Sequence, residues 1–356
     1  MSAELEKNQL PQLARMPQPP ASVHPLAEVT DDLFVHEPVD VRLQEQVTGN
    51  AVSVWKDAWW RLLKNRGTLL AMCIILVISA LALVGPQLSG RTYDEQNLLH
   101  SNLPPKIAGL EWLGFDGRDA RGVDQYEARG ITEHFWFGTD EFGRDLWTRV
   151  WKGTQISLGI ALLAAFLDLL IGVVYGGISA FYGGKIDNAM QRIIEVLVGI
   201  PNLIVIILFI LILDPGIFSI VLAMIITGWV GMARVVRGQM MQIKAQEFVL
   251  AARALGASNR RLIVKHLLPN AVGPILVTLM FTIPTAIFFE AFLSFIGLGL
   301  QPPLASLGVL IQDGYVSMRY FTYKLVFPGV IISALMISFN LLADGLRDAL
   351  DPRMKK

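Results

Sequence analysis

The sequence predicts an all-α integral membrane protein with about six spanning helices, and three observations lead there. The chain is 53% hydrophobic and only 17% charged, with a mean hydropathy of +0.49, far more apolar than a soluble chain of this length needs. Its apolar residues gather in runs long enough to cross a hydrocarbon core of about 30 Å at 1.5 Å per residue. Its lysines and arginines collect in alternate connections, as they do on the cytoplasmic side of spanning proteins.

The elements follow in order. Residues 1–50 are rich in Pro, Glu and Gln without periodicity and predict a disordered cytoplasmic tail, or a docking arm for a partner. Over 51–67, Trp55, Trp59, Leu62 and Leu63 recur at helical spacing beside Lys56, Lys64 and Arg66, which predicts an interfacial amphipathic helix. Span one covers 68–88, and further spans are expected at 156–181, 196–213, 217–232, 271–300 and 325–342. Pro201, Pro274 and Pro284 would each break a helical hydrogen bond that neighbouring helices must make good.

Orientation comes from charge. Arg61 and Lys64 before span one, Lys185 and Arg192 before span three, the 234–270 loop, and Arg347, Arg353, Lys355 and Lys356 at the end share one side, so both termini are expected inside. The outside then receives 89–155, a long external loop or cap carrying Trp112, Phe115, Trp136, Phe137, Trp147 and Trp151, and a shorter connection over 301–322.

Several function classes drop out. A formal net charge of zero leaves no basic footprint for nucleic acid. The single cysteine, Cys73, lies in an apolar run and supports neither a disulfide nor a multi-cysteine metal site. His24, His36, His100, His134 and His266 are scattered, with no metal-binding or hydrolase arrangement. Gly183-Gly184-Lys185-Ile186 fails as a phosphate loop, having Ser179 where the leading glycine belongs and no hydroxyl after the lysine. The chain is therefore read as neither an enzyme nor a cofactor or metal binder.

The most informative stretch is the loop 234–270, which carries one acid, Glu247, among many bases. It reads as two short helices. Ala251, Ala252, Ala254 and Leu255 favour the first, Gly256 stops it in a left-handed conformation, Ser258 caps the second, and Pro269 with Asn270 ends that one before span five. Small side chains at Ala251 and Ala252 suit a helix that nests in a partner's groove; the competing reading is a basic helix resting on anionic lipid.

At Leu250, Ala251, Ala252, Gly256, His266, Leu268 and Pro269 the chain resembles the inner-membrane permease subunits of binding-protein-dependent ABC importers, whose signature runs Glu-Ala-Ala, three residues, Gly, nine residues, Ile-x-Leu-Pro. Leu250 and His266 depart from it, at the acid and the isoleucine, and Glu247 lies about one turn before the first. The stretch from Trp55 to Arg66 and the segments 138–145, 290–303 and 340–353 are similar to the C-type subunits of dipeptide and oligopeptide permeases, with nickel-chelate carriers as relatives. The resemblance implies a bacterial or archaeal cytoplasmic membrane, a second homologous permease, two ATPases that bind ATP and Mg, and an extracellular or periplasmic peptide-binding protein. It assigns ATPase coupling to Glu247, Leu250, Ala251, Ala252, Arg253, Gly256 and Ala257, within a permease core of 156–356. Candidate pore or gate residues are Asp168, Glu290 and Asn340. A different class, a stand-alone ion-coupled carrier, would use Asp168 or Glu290 instead. A membrane scaffold is the third reading. Gly172 and Gly176 form a small-residue face whose ordinary meaning is close helix packing.

Overall fold

The computed structural model describes residues 54–350 and builds them almost wholly from helices; among the described residues β-pairing is confined to three isolated bridges. The expected tail over 1–50, together with Arg353, Lys355 and Lys356, lies outside the described residues.

Helix α1 (Val54–Lys64) lays Ala58 and Leu62 inward and turns Trp59 and Trp60 out, as a helix with one apolar stripe does. Asn65 then caps α2 (Arg66–Leu88), accepting from the N–H of Gly67 at 3.0 Å and of Thr68 at 3.4 Å. The next span begins ten residues earlier than its apolar run suggests. Asp145 caps α4 (Leu146–Tyr182), its Oδ2 accepting from the Thr148 N–H at 3.3 Å and hydroxyl at 2.6 Å. The polar first turns of α4 are therefore helical although they lie outside the hydrophobic run.

The expected third span is not one straight helix. α5 (Gly184–Gly199) and α6 (Asn202–Leu213) meet at 80° around Pro201, where the ring removes an N–H and restrains Ile200 from helical geometry. Five helices are long and apolar enough to cross a membrane, or six if this bent pair is one span. α7 (Ile217–Lys244) also outruns its expectation: residues 234–244, read as loop, continue the helix because Val236, Met240 and Ile243 keep one face buried.

After α8 (Glu247–Ala254) and the short α9 (Asn259–Arg261), Pro269 and Asn270 do not end the helix as expected. The chain widens into a π-helical stretch over 262–267 and runs straight into α10 (Leu268–Phe295). Proline has no N–H to give to the preceding turn, and the wider turn accommodates that loss; Asn270 Nδ2 donates to the His266 carbonyl at 2.6 Å. An unexpected short helix, α11 (Leu307–Ser317), precedes α12 (Tyr323–Leu350).

The bundle core joins α4, α7, α10 and α12 through Val150, Ile160, Ile220, Ile287, Leu335 and Phe339. Gly172 and Gly176 bring α4 close to α7: a side chain at 172 would lie 2.6 Å from Met232, and one at 176 would meet the Ala233 carbonyl. Residues 89–145 fold on themselves around Leu103, Tyr126 and Phe135, with α3 (Gln125–Arg129) in their midst. Tyr126 donates to the Pro104 carbonyl at 2.8 Å. Burial works against charge on Asp124, but the Lys106 ammonium and two backbone N–H groups hold its carboxyl below the usual range. This unit sits on the bundle through stacked Phe137 and Phe327, 3.9 Å between centroids, and the Tyr323 hydroxyl, which donates to the Thr139 carbonyl at 3.0 Å.

Candidate functional site

Helix α8 stands at the end of the bundle where α4 and α7 finish. Val249 points inward to Met240, Ile243, Leu262 and Leu267. Glu247, Leu250, Ala251 and Arg253 are exposed, while Ala252 is half-buried against the same cluster. The two alanines thus differ: Ala251 faces out and Ala252 fits the protein's own interior. Leu255 is 90% exposed. Gly256 has φ +81°, and the helix closes with its N–H on the Arg253 carbonyl and the Ala257 N–H on the Ala252 carbonyl, both at 3.0 Å; this is a left-handed termination that a side chain would strain. Ser258 then caps α9, accepting from the Arg261 N–H at 3.4 Å.

The base under α8 is tied to α4. Lys244 Nζ donates to the Phe181 carbonyl at 2.5 Å and the Ala180 carbonyl at 3.2 Å, covering carbonyls at the end of that helix. One step away, Arg237 grips Asp187 bidentately at 2.6 Å and 2.6 Å, and Ser179 donates to the same carboxylate at 2.5 Å. The helix that leads into α8 is thus bonded to α4 through Lys244 and to α5 through Arg237. Sequence reasoning passes over Asp187 and Arg237, since fifty positions separate them and each looks like an ordinary flanking charge.

The three candidate pore residues are not assembled into one site, and no hydrogen bond or ion pair joins any two of them among the described residues. Asp168 is 5% exposed, its carboxylate pressed on Gly228, where a Cβ would lie 2.7 Å from Oδ1; Oδ1 makes no hydrogen bond. Glu290 is fully buried, accepting from Ser157 at 2.6 Å and Ser294 at 2.8 Å. Ser157 also accepts from the Leu307 N–H at 3.1 Å, so one polar knot joins α4, α10 and the start of α11. Asn340 is exposed on α12 and bonds only within its own helix, to the Met336 carbonyl at 2.8 Å.

Comparison with known proteins adds the lineage. The family described as binding-protein-dependent transport system inner membrane component matches residues 169–356, and that described as the N-terminal TM domain of oligopeptide transport permease C matches residues 53–105. The chain is 44% identical to the oligopeptide transport system permease protein OppC of Bacillus subtilis, over 88% of this chain and 94% of that one. It is 44% identical to the dipeptide transport system permease protein DppC of the same organism, over 92% and 95%. With the dipeptide transport system permease protein DppC of Lactococcus lactis the identity is 45%, over 87% and 93%.

Proposed function

Because this chain belongs to the family of binding-protein-dependent transport system inner membrane components, as a multi-pass membrane permease of a bacterial ABC importer, we propose that its cargo is a peptide and that α8 couples it to separate ATPase subunits. The cargo reading is supported by relatives named for oligopeptide and dipeptide transport. In this reading two ATPases bind ATP and Mg, a second homologous permease completes the pore, and an external binding protein delivers the peptide. Both termini and α8 lie in the cytoplasm, as the lysine and arginine bias favours.

The observation that carries the coupling reading is the outward face of α8: Leu250, Ala251 and a 90% exposed Leu255 stand clear of the bundle on a base bonded to the end of α4. An apolar ridge on a basic surface suits a protein groove. ATP shifts the membrane helices only if the docked helix makes different contacts in the two ATPase arrangements, and a base bonded to α4 and α5 passes such a difference on. Asp168, Glu290 and Asn340 remain candidates for the pore and its gate; Glu290, knotted to three helices, suits a fixed point about which a gate turns.

Ala251→Arg and Leu255→Asp test this, because both alter the outward face and leave the Val249 cluster intact. Each should lower ATP-driven uptake by about tenfold or more and reduce ATPase recovery on gentle purification, while membrane insertion is retained. Wild-type uptake and wild-type ATPase recovery in both variants would overturn the docking role.

A further inference from the structure

The segments 138–145 and 290–303 converge on one cavity of about 380 Å³ with mixed polar and apolar walls, its polar side formed by Glu141, Arg144, Arg149, Ser294, Gln301 and Asp313. It lies at the beginning of α4, whereas α8 is tied to that helix's end; the two are roughly 45 Å apart along the helix axis at 1.5 Å per residue. Gly299 helps to shape it, since a Cβ there would run into Ser294.

The chemistry of this cavity centres on Arg149. Its side chain is 2% exposed, yet of its five N–H donors only one reaches an acceptor, the Tyr93 carbonyl at 3.5 Å. Nε makes no hydrogen bond. Asp140 Oδ2 is 3.5 Å from Nε, but Asp140 is already taken: its carboxylate accepts from the Arg144 guanidinium at 2.5 Å and from the N–H of Phe142 and of Arg144, both at 2.9 Å. Asp313 stands 3.9 Å from Nη2, beyond hydrogen-bond reach, with its side chain 43% exposed. Two carboxylates at ion-pair distance thus balance its charge, but most of its N–H donors make no hydrogen bond among the described residues, and its planar fork fits a carboxylate. The neighbouring Glu141 and Asp313 repel a plain anion. They suit a ligand that brings an ammonium along with its carboxylate.

We propose that this cavity receives the charged termini of the peptide at the outer end of its path: the carboxylate takes the open N–H donors of Arg149, and the ammonium faces Asp313 and Glu141. The assignment rests on the peptide-cargo reading above. It makes Arg149 and Asp313 contacts for the peptide backbone, blind to side chains, as a permease serving varied peptides requires.

The test uses the assembled transporter in nanodiscs, titrated without binding protein with trialanine, its C-terminal amide and its N-acetyl form. Trialanine should bind about tenfold more tightly than either blocked form. Arg149→Gln should erase the preference against the amide, and Asp313→Asn the preference against the acetylated form. Should Arg149→Gln fail to assemble, the wild-type comparison and the half-exposed Asp313 still decide. Equal binding of the three ligands by the wild type, or full discrimination in both variants, overturns the proposal. Equal binding joined to loss of binding-protein capture by Arg149→Gln overturns it too, and gives the arginine to a carboxylate of that protein. Uptake of trialanine by the complete wild-type system is scored separately, since its absence counts against the peptide cargo rather than the cavity.

Discussion

Glu290 shows how much one residue can carry in an apolar bundle. The sequence marks it as an acid inside a span, which calls for partners because lipid supplies none. Only the folded chain identifies those partners as Ser157 and Ser294, 133 and 4 positions away. Interhelical hydrogen bonds in membranes contribute about 0.6 to 1.7 kcal/mol each, and Glu290 makes one directly, with Ser157, its bond to Ser294 lying within α10; Glu290→Ala should therefore cost about 1 to 2 kcal/mol. The loss would be read as a lower unfolding midpoint of the solubilised complex. Glu290→Gln should cost less, since the amide oxygen still accepts and a serine hydroxyl can turn to accept from its NH2. An alanine variant as stable as wild type would show that the knot is not structural. Arg149, Asp187 and Arg237 were illegible for a related reason: each is an ordinary charge in its own segment, and its meaning lies in residues the chain brings from far away.

At the scale of elements, the stretch from Gly256 to Pro269 was half legible. Gly256 and Ser258 act as their residue types predict, because a left-handed stop and a side-chain cap are local matters. Pro269 does not, because packing of Leu262 and Leu267 into the core holds the helix together across the proline and leaves a π-helical stretch in place of a break. Pro269→Ala restores the missing N–H and allows this stretch to wind as regular α-helix, rotating α8 relative to α10 by up to about 100° for one residue of register. Uptake per ATP hydrolysed in proteoliposomes should then fall while the complex still assembles. An unchanged ratio would show that the widened turn does not set the position of α8. The break at Pro201 is the complementary case, a proline that does bend its helix pair.

At the scale of the molecule, the described residues form a helical bundle in which the folded 89–145 segment and α8 lie at opposite ends of α4. A cap built on Leu103, Tyr126 and Phe135 sits at one end, and α8 sits at the other on a base fastened by Lys244 and Arg237. In the proposed reading α4 conveys a displacement that separate ATPase subunits generate. The purified chain in liposomes should therefore show no uptake with ATP added, and uptake should appear only when the ATPases and second permease are co-reconstituted. ATP-dependent uptake by the chain alone would contradict the division of labour, and uptake driven by a proton gradient and abolished by Asp168→Asn would point to the carrier class.

From sequence alone came the membrane class, the approximate spans, the left-handed turn at Gly256 and the family, because these depend on hydrophobic length, local backbone preference and contiguous motifs. Tertiary structure alone decided that Ala252 faces inward while Ala251 faces out, that α4 and α7 outrun their apolar cores, that Pro269 is absorbed, and that Arg149 keeps most of its N–H donors open beside a cavity. Each of these turns on which surfaces meet, and in a bundle that is settled by residues tens to hundreds of positions apart competing for the same buried volume.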